Sequence, residues 1–311
     1  MTESDLLSLL RTLPLHPGAR GLRDDAAVVD GLVITTDTLV EGVHFLGLDP
    51  PVDVAWKLLA VNLSDLAAKG ATPEGVLLNY PLGRPDWDRA FFASFDHALR
   101  EHACPLIGGD TVTLSPGAPR IVTLTALGRD ARESSAAPSR TGAQAGDALW
   151  VTGPIGDAGA GLAIARGEPG PPELLAAYRR PRPRLAEGRA LAPHVHAMSD
   201  VSDGLLLDAA RMAEASGLAV TIDLSAVPLS PAYVAYRGDS RETRLAAATA
   251  GDDYQLLFAA PPGYVPPVPA ARLGAFAPGR GLGLTDAGAP LPLPGTLGYE
   301  HSPLAPVHLG P

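Results

Sequence analysis

Gly31–Tyr80, GLVITTDTLVEGVHFLGLDPPVDVAWKLLAVNLSDLAAKGATPEGVLLNY, sets the architecture. Leu32–Thr36 is a β-branched run that reads as a strand, Val52–Ala68 carries apolar residues at helical spacing, and Gly75–Tyr80 reads as a second strand. Strand, helix and strand in succession predict a mixed α/β plan. Working outward, Ala26–Val29 reads as a short strand, Asp86–Glu101 as an amphipathic helix and Ile121–Gly128 as a strand. From Arg129 to Gly146 the chain turns small and polar (RDARESSAAPSRTGAQAG), the composition of a surface connection. A boundary near residue 135 divides the 311 residues into 1–135 and 136–311, each long enough to bury its own core.

The second part opens with a strand at Ala148–Thr152, a Gly-rich turn and a helix at Asp157–Arg166. The Pro-rich stretch Gly167–Pro183 reads as a loop framing a short helix at Glu173–Arg180. After SDG, the residues Leu205, Leu206, Ala209, Met212 and Ala213 recur at helical spacing, and Ser216-Gly217 supplies the stop. Val220–Leu224 and Tyr254–Ala259 read as strands, and the tail from Pro261 carries only weak strand signals among its Pro and Gly. No fixed-period repeat is visible.

Composition narrows the function. The longest apolar runs are strand-sized, far below the ~20 residues of a spanning helix, and no basic region precedes the apolar start, so neither a membrane protein nor a secretory signal is expected. The single cysteine, Cys104, allows no internal disulfide and fits a reducing, cytoplasmic compartment. A formal charge of -10 opposes nucleic-acid binding, which draws on Lys and Arg. Only Lys57 and Lys69 are lysines, and neither sits in a GxxxxGK[ST] pattern. If nucleotide is bound, metal ions and backbone N–H groups must do most of the neutralising of its phosphates.

Aspartates set among small and apolar neighbours are the chemical signal. They are Asp24-Asp25 before AAVV, Asp37 after VITT, Asp65 in NLSDLAAKGA, Asp110 in LIGGDT, Asp200 and Asp203 in SDVSDG, and Asp252-Asp253 in AGDDYQLLF. Carboxylates at the rims of apolar elements are costly to desolvate without a cationic partner. Few lysines are near in sequence, so a hard divalent ion is the candidate, and Mg²⁺ joins carboxylates to substrate phosphates. Any one Asp is more simply a helix cap or turn residue, and Asp30, Asp49, Asp53, Asp86 and Asp88 are read that way. Asp65 and Asp203 also have capping as their plain alternative. The accompanying Thr35-Thr36, Asn62, Ser64, Gly108-Gly109, Thr111 and Ser202 add oxygen ligands or tight turns that favour a binding site.

Taken together, DDAAVV, ITTDTLVEGVHF, AVNLSDLAAKGATP, LIGGDT, SRTGAQAGDALWVTGPIGDAGAGLAI, SDVSDGLLLDAARMAEASG and GDDYQLLF resemble the thiamine-monophosphate kinase family, part of the ATP-binding group that includes aminoimidazole ribonucleotide synthetase. The motifs follow the family's order over most of the chain. The resemblance implies an N-terminal α/β domain that gives strands to a β-barrel shared in a homodimer, with a C-terminal α/β domain packed beside it. It implies several Mg²⁺ ions on Asp25, Thr36, Asp37, Asp65, Asp110, Asp200 and Asp203, with Thr35 as a further contact. ATP contacts are implied at Gly109, Asp110, Arg140 and Ser202, and thiamine monophosphate contacts at His44, Asp252 and Tyr299. On sequence alone, His44 reads equally as a packing residue. The implied acceptor is a phosphate oxygen already ionised near neutral pH, so neither a nucleophile nor a general base is required, and catalysis is in-line positioning with charge stabilisation.

Three departures bear on substrate use. The family's GxGDD is here Gly21-Leu22-Arg23-Asp24-Asp25, its GEDYE is Gly251-Asp252-Asp253-Tyr254-Gln255, and its terminal GxxHF appears only as GYEHS. The rival readings are an ATP-dependent ligase of the same superfamily and a nucleotide-binding protein without catalysis. Formation of thiamine diphosphate separates both from a kinase.

Overall fold

The computed structural model describes residues 2–130 and 137–301, so the boundary expected at residue 135 lies outside the described residues. The first half runs α1 (Glu3–Leu10), β1 (Ala27–Val29), β2 (Leu32–Val40), α2 (Pro51–Ala68), β3 (Ala71–Pro81), α3 (Pro85–Glu101), β4 (Leu106–Val112) and β5 (Ile121–Asp130). Its sheet has the order β1-β2-β5-β3-β4, antiparallel except for the parallel β3/β4 pair. The second half contains β6 (Ala148–Val151), α4 (Asp157–Ala165), α5 (Pro172–Arg179), α6 (Leu185–Leu191), β7 (Ala197–Asp200), α7 (Leu205–Ser216), β8 (Ala219–Asp223), α8 (Pro231–Arg237), α9 (Arg241–Thr249), β9 (Leu256–Ala260), β10 (Ala271–Ala277), β11 (Gly281–Asp286) and β12 (Ala289–Leu291). These strands form one sheet in the order β12-β11-β8-β10-β6-β9-β7.

The expected mixed α/β plan is what the chain adopts, with one sheet in each half. Within one chain the first sheet stays open among the described residues, with β1 and β4 at its edges. Strand β4 was not foreseen. All seven of its residues are exposed, so the alternation that marks a half-buried strand is missing. The tail's weak signals became β10, β11 and β12.

Helix α2 joins the two halves. Fourteen of its 18 residues are buried, which is the pattern of a helix covered on all sides. Leu59, Leu63 and Leu66 pack with Leu124 and Val76 of the first sheet and with Phe91 of α3. At its C-terminal end, Ala67 and Ala68 pack instead with Leu191, Met198 and Phe258 of the second half. The close approach needs glycine on the facing helix. A Cβ at Gly188 of α6 would stand 2.0 Å from the Ala67 carbonyl oxygen. The Trp56 indole N–H adds a 2.8 Å hydrogen bond to the Pro181 carbonyl, tying the Pro-rich stretch to α2.

Candidate active site

Between Val54 and Ala68 every residue of α2 is buried except Asp65, which opens onto the seam between the two halves. There it meets Asp25, just before β1, and Asp200, at the end of β7. One carboxylate oxygen from each of the three lies within 4.8 Å of the others. Two hydroxyls fix the arrangement. Thr35 of β2 donates to the Asp65 carboxylate, and Ser64 of α2 donates to Asp200 at 2.5 Å. Asp37 lies on the same face of β2 as Thr35, its backbone N–H held at 3.1 Å by the Asn62 side chain.

Like charges in a dry site oppose one another's ionisation. Burial, then Asp25 and Asp203, push the Asp37 carboxyl up to about 6. Burial, together with Asp37, Asp200 and Asp25, raises Asp65 well above the usual carboxylate range. Asp200 is raised likewise, by burial and then by Asp25. A buried group of carboxylates held short of full ionisation suits a hard divalent cation, and the all-oxygen donor set of carboxylates and hydroxyls suits Mg²⁺.

Fixed cations surround this group but do not fill it. Lys69, four residues beyond Asp65, is fully buried, pairs with Asp24, stands 2.7 Å from Asp25 Oδ2, and donates to the Met198 carbonyl at 3.0 Å. Although burial opposes ionisation of Asp24, Lys69 and Arg20 hold it well below the usual range. Arg140 donates to Asp25 through its guanidinium and to Asp24 through its backbone N–H.

The turn into α7 is the third wall. Asp208 is buried, and its Oδ2 accepts the backbone N–H groups of Ser202, Asp203 and Gly204 at 3.1, 3.1 and 3.2 Å. The carboxylate thus fixes the SDG turn from within, and burial with Asp203 nearby pushes its pKa up to about 7. Asp203 pairs with Arg211.

The expected substrate residues gather beside this turn. Asp252, 34% exposed, accepts from Lys57 at 2.7 Å and from the Tyr254 hydroxyl at 3.0 Å, in a positive-φ conformation (φ 65) that an Asp tolerates better than most residues. Lys57 also donates to the His44 carbonyl at 3.0 Å, joining two expected contacts through one buried cation. His44 Nδ1 accepts the Val40 backbone N–H at 3.1 Å, and burial with the neighbouring His301 lowers its pKa. The imidazole is therefore neutral, with its proton on Nε2. Tyr299 donates its backbone N–H to the Asp203 carbonyl at 2.8 Å, and its ring meets His301, which meets His44.

Two groups of expected residues lie elsewhere. The side chain of Thr36 points to the opposite face of β2 from Thr35 and Asp37, because side chains alternate along a strand, and its hydroxyl donates to the Leu124 carbonyl. Gly109 and Asp110 sit on exposed β4. The register Asp37–Leu124–Leu78–Gly109 puts Gly109 three strands from Asp37, roughly 14 Å at the usual inter-strand spacing. One chain does not bring Asp110 to the carboxylate group. Of the departures, Gln255 bonds to Arg184 and Thr152, away from the acidic seam, and Arg23 is exposed.

Sequence reasoning passed over Lys57, Lys69, Asp208 and Arg211. A usable signal existed for Lys69, since the i, i+4 spacing from Asp65 sets both on one helix face. Asp49 and Asp88, read as turn or cap residues, do act structurally, Asp49 accepting from Leu46 N–H at 2.7 Å and Asp88 from the Tyr80 hydroxyl at 2.8 Å.

With its two sheets and the carboxylates between them, the chain falls in the class of AIR synthase related proteins, whose N-terminal domain model matches residues 23–129 and whose C-terminal domain model matches residues 144–281. Thiamine-monophosphate kinase of Caulobacter vibrioides is 39% identical over 96% of this chain and 91% of its own length, and that of Escherichia coli K12 is 38% identical over 78% and 76%. The chain belongs to the thiamine-monophosphate kinase family. Among solved structures, AaThiL complexed with AMPPCP and TMP superposes with a TM-score of 0.83 at 28% identity, covering 97% of both chains. The thiamine-monophosphate kinase of Stenotrophomonas maltophilia K279a gives 0.74 at 34% identity over 92% of this chain and 96% of that one.

Proposed function

We infer that the protein transfers the γ-phosphoryl group of ATP to thiamine monophosphate, giving ADP and thiamine diphosphate. The observation that carries this reading is the convergence of Asp25, Asp65 and Asp200, from three distant segments, on one space at the seam. Asp25, Asp37, Asp65, Asp200 and Asp203 would hold Mg²⁺, with Thr35 orienting Asp65 through its hydroxyl. Bound Mg²⁺ supplies the positive charge that lets two phosphate-bearing substrates approach and that offsets charge on the transferred group.

The chain's own residues bind and orient. Arg140 and Ser202 lie where the nucleotide phosphates would meet the carboxylates, Arg140 already facing Asp25. His44, Asp252 and Tyr299 form the thiamine monophosphate side. Lys57 holds Asp252 and the His44 loop at one distance, so the two contacts keep a fixed spacing. The acceptor oxygen is ionised at neutral pH, and no side chain is needed to remove a proton from it.

Residues 1–135 form the nucleotide- and metal-binding, dimer-forming domain and 136–311 the C-terminal α/β domain, a division supported by the gap between the two matched family models. A homodimer is supported by β4, an edge strand exposed along its whole length that carries Leu106, Ile107 and Val112, since unpaired apolar edges are otherwise a liability. In that assembly the first sheets would contribute to a shared barrel, and Gly109 and Asp110 would act at the interface. Among the described residues no helix is long and apolar enough to cross a membrane, and a cytoplasmic location fits the single buried thiol.

Incubation with Mg-ATP and thiamine monophosphate, followed by separation of the products, tests the reaction. ADP and thiamine diphosphate should appear in equal amounts. ADP with no thiamine diphosphate would return the chain to a ligase or another acceptor, and neither product would leave a binding protein. Size-exclusion chromatography with light scattering should give about twice the 32.0 kDa chain mass.

A further inference from the structure

We propose that Arg211 is an additional phosphate-binding residue of this site, held by Asp203 until a divalent cation takes that carboxylate. The inference rests on the metal-assisted reading above and adds a residue to it.

Arg211 lies on α7, two turns beyond the SDG corner. Its guanidinium Nη1 donates to Asp203 Oδ2 and stands 3.5 Å from Asp208 Oδ1. These two carboxylates differ in what they can give up. Asp208 is buried and committed to the backbone of the turn, so it stays where it is. Asp203 is 29% exposed beside an Arg211 that is 25% exposed, so water, a cation and an anion can all reach the pair. Asp203 also lies close enough to Asp37 to raise its carboxyl, which ties it to the metal-binding carboxylates.

A guanidinium and a divalent ion compete for the same carboxylate oxygens. Once Asp203 turns to a divalent ion, Arg211 loses a charged partner and keeps Asp208 behind it. A planar fork with five N–H donors then faces the open side of the turn, where Ser202 sits. Its chemical match is a phosphate oxygen pair of a nucleoside triphosphate, bound bidentately. Arg140 is near enough for the two positive charges to oppose each other, so an anion between them is favoured twice over. The exchange also couples the ligands. Metal binding frees the guanidinium, and the nucleotide removes the guanidinium's competition for the metal site.

The test compares wild type with Arg211→Gln and Arg211→Lys in full-length protein, with folding checked by circular dichroism and melting temperature. Free Mn²⁺ titrated without nucleotide, read by electron paramagnetic resonance, should bind about fivefold tighter to Arg211→Gln, the factor that a pair at this exposure is worth. A non-hydrolysable ATP analogue titrated in saturating Mn²⁺ should bind about tenfold weaker to the same variant, because a charge-assisted phosphate contact is lost. Arg211→Lys should keep the Mn²⁺ competition and recover only part of the nucleotide affinity, since an ammonium lacks the fork. Opposite shifts for the two ligands cannot come from a general loosening of the fold. Wild-type Mn²⁺ binding with no change in either affinity for Arg211→Gln would overturn the role of Arg211 alone. No Mn²⁺ binding by the wild type would overturn both this inference and the metal-assisted reading.

Discussion

Asp65 is a side chain costly to the fold that the proposed reaction would need for its chemistry. It is the one opening in an otherwise buried stretch of α2, and Asp37, Asp200 and Asp25 all oppose its ionisation. Asp65→Asn keeps the shape and an acceptor for Thr35 but removes the charge. Turnover with Mg-ATP and thiamine monophosphate should fall by at least about 100-fold, the scale of losing a group that holds charge-stabilising metal. Its melting temperature without added metal should hold or rise, because like-charge repulsion is relieved; a large drop would mark Asp65 as a structural residue. Lys69→Met should behave in the reverse way. It leaves Asp24 and Asp25 short of a cation inside the protein, at a cost of about 3–5 kcal/mol in urea unfolding. The acidic half of this site was legible in the sequence because Asp beside Gly, Thr or Ser recurs there. Much of the basic half was hidden: Lys57 and Arg140 reach Asp252 and Asp25 from distant segments, and only the family resemblance pointed to Arg140, whereas Arg211 stands at i, i+3 from Asp208 on one helix face, a spacing that went unused.

Helix α2 is the element on which both halves depend. Its seam with α6 tolerates no side chain at Gly188, where a Cβ would meet the Ala67 backbone. Gly188→Ala should force α6 away and cost about 1–3 kcal/mol by denaturant unfolding, with a loss of activity at temperatures where the fold persists. The activity loss follows because Lys69 and Asp65 leave the same end of α2 for the site. An unchanged midpoint would mean that the contact relaxes freely. Elements with a clear period were legible: α2, α3 and α7 fall close to where apolar spacing put them, as does β5. Strand β7 went unread because its four residues, AMSD, offer neither alternation nor a β-branched run, and β4 because all seven are exposed.

At the scale of the whole molecule, the site sets how stability responds to pH. Asp37, Asp65 and Asp200 have folded pKa values above the ordinary 3.8, with Asp37 at about 6, and Asp208 and Asp253 reach about 7 and about 8 through burial. Groups of this kind bind more protons folded than unfolded. Their contribution is complete below 3.8 and is lost as pH rises through each folded value. His44 and His102, held below 6.5 by burial, act the other way, but they are two against five. Asp24, whose folded pKa is lowered, loses its contribution only in acid below this range. In a chelator, the melting temperature should therefore fall between about pH 5 and 8, each retained proton giving a slope of about 1.4 kcal/mol per pH unit. Millimolar Mg²⁺ should flatten that decline, because a divalent ion binds the ionised carboxylates and stabilises the folded state by mass action. A melting temperature that rises with pH in the chelator would mean that Lys69, Arg140 and Arg211 already neutralise the seam. The carboxylates would then have no need of a metal.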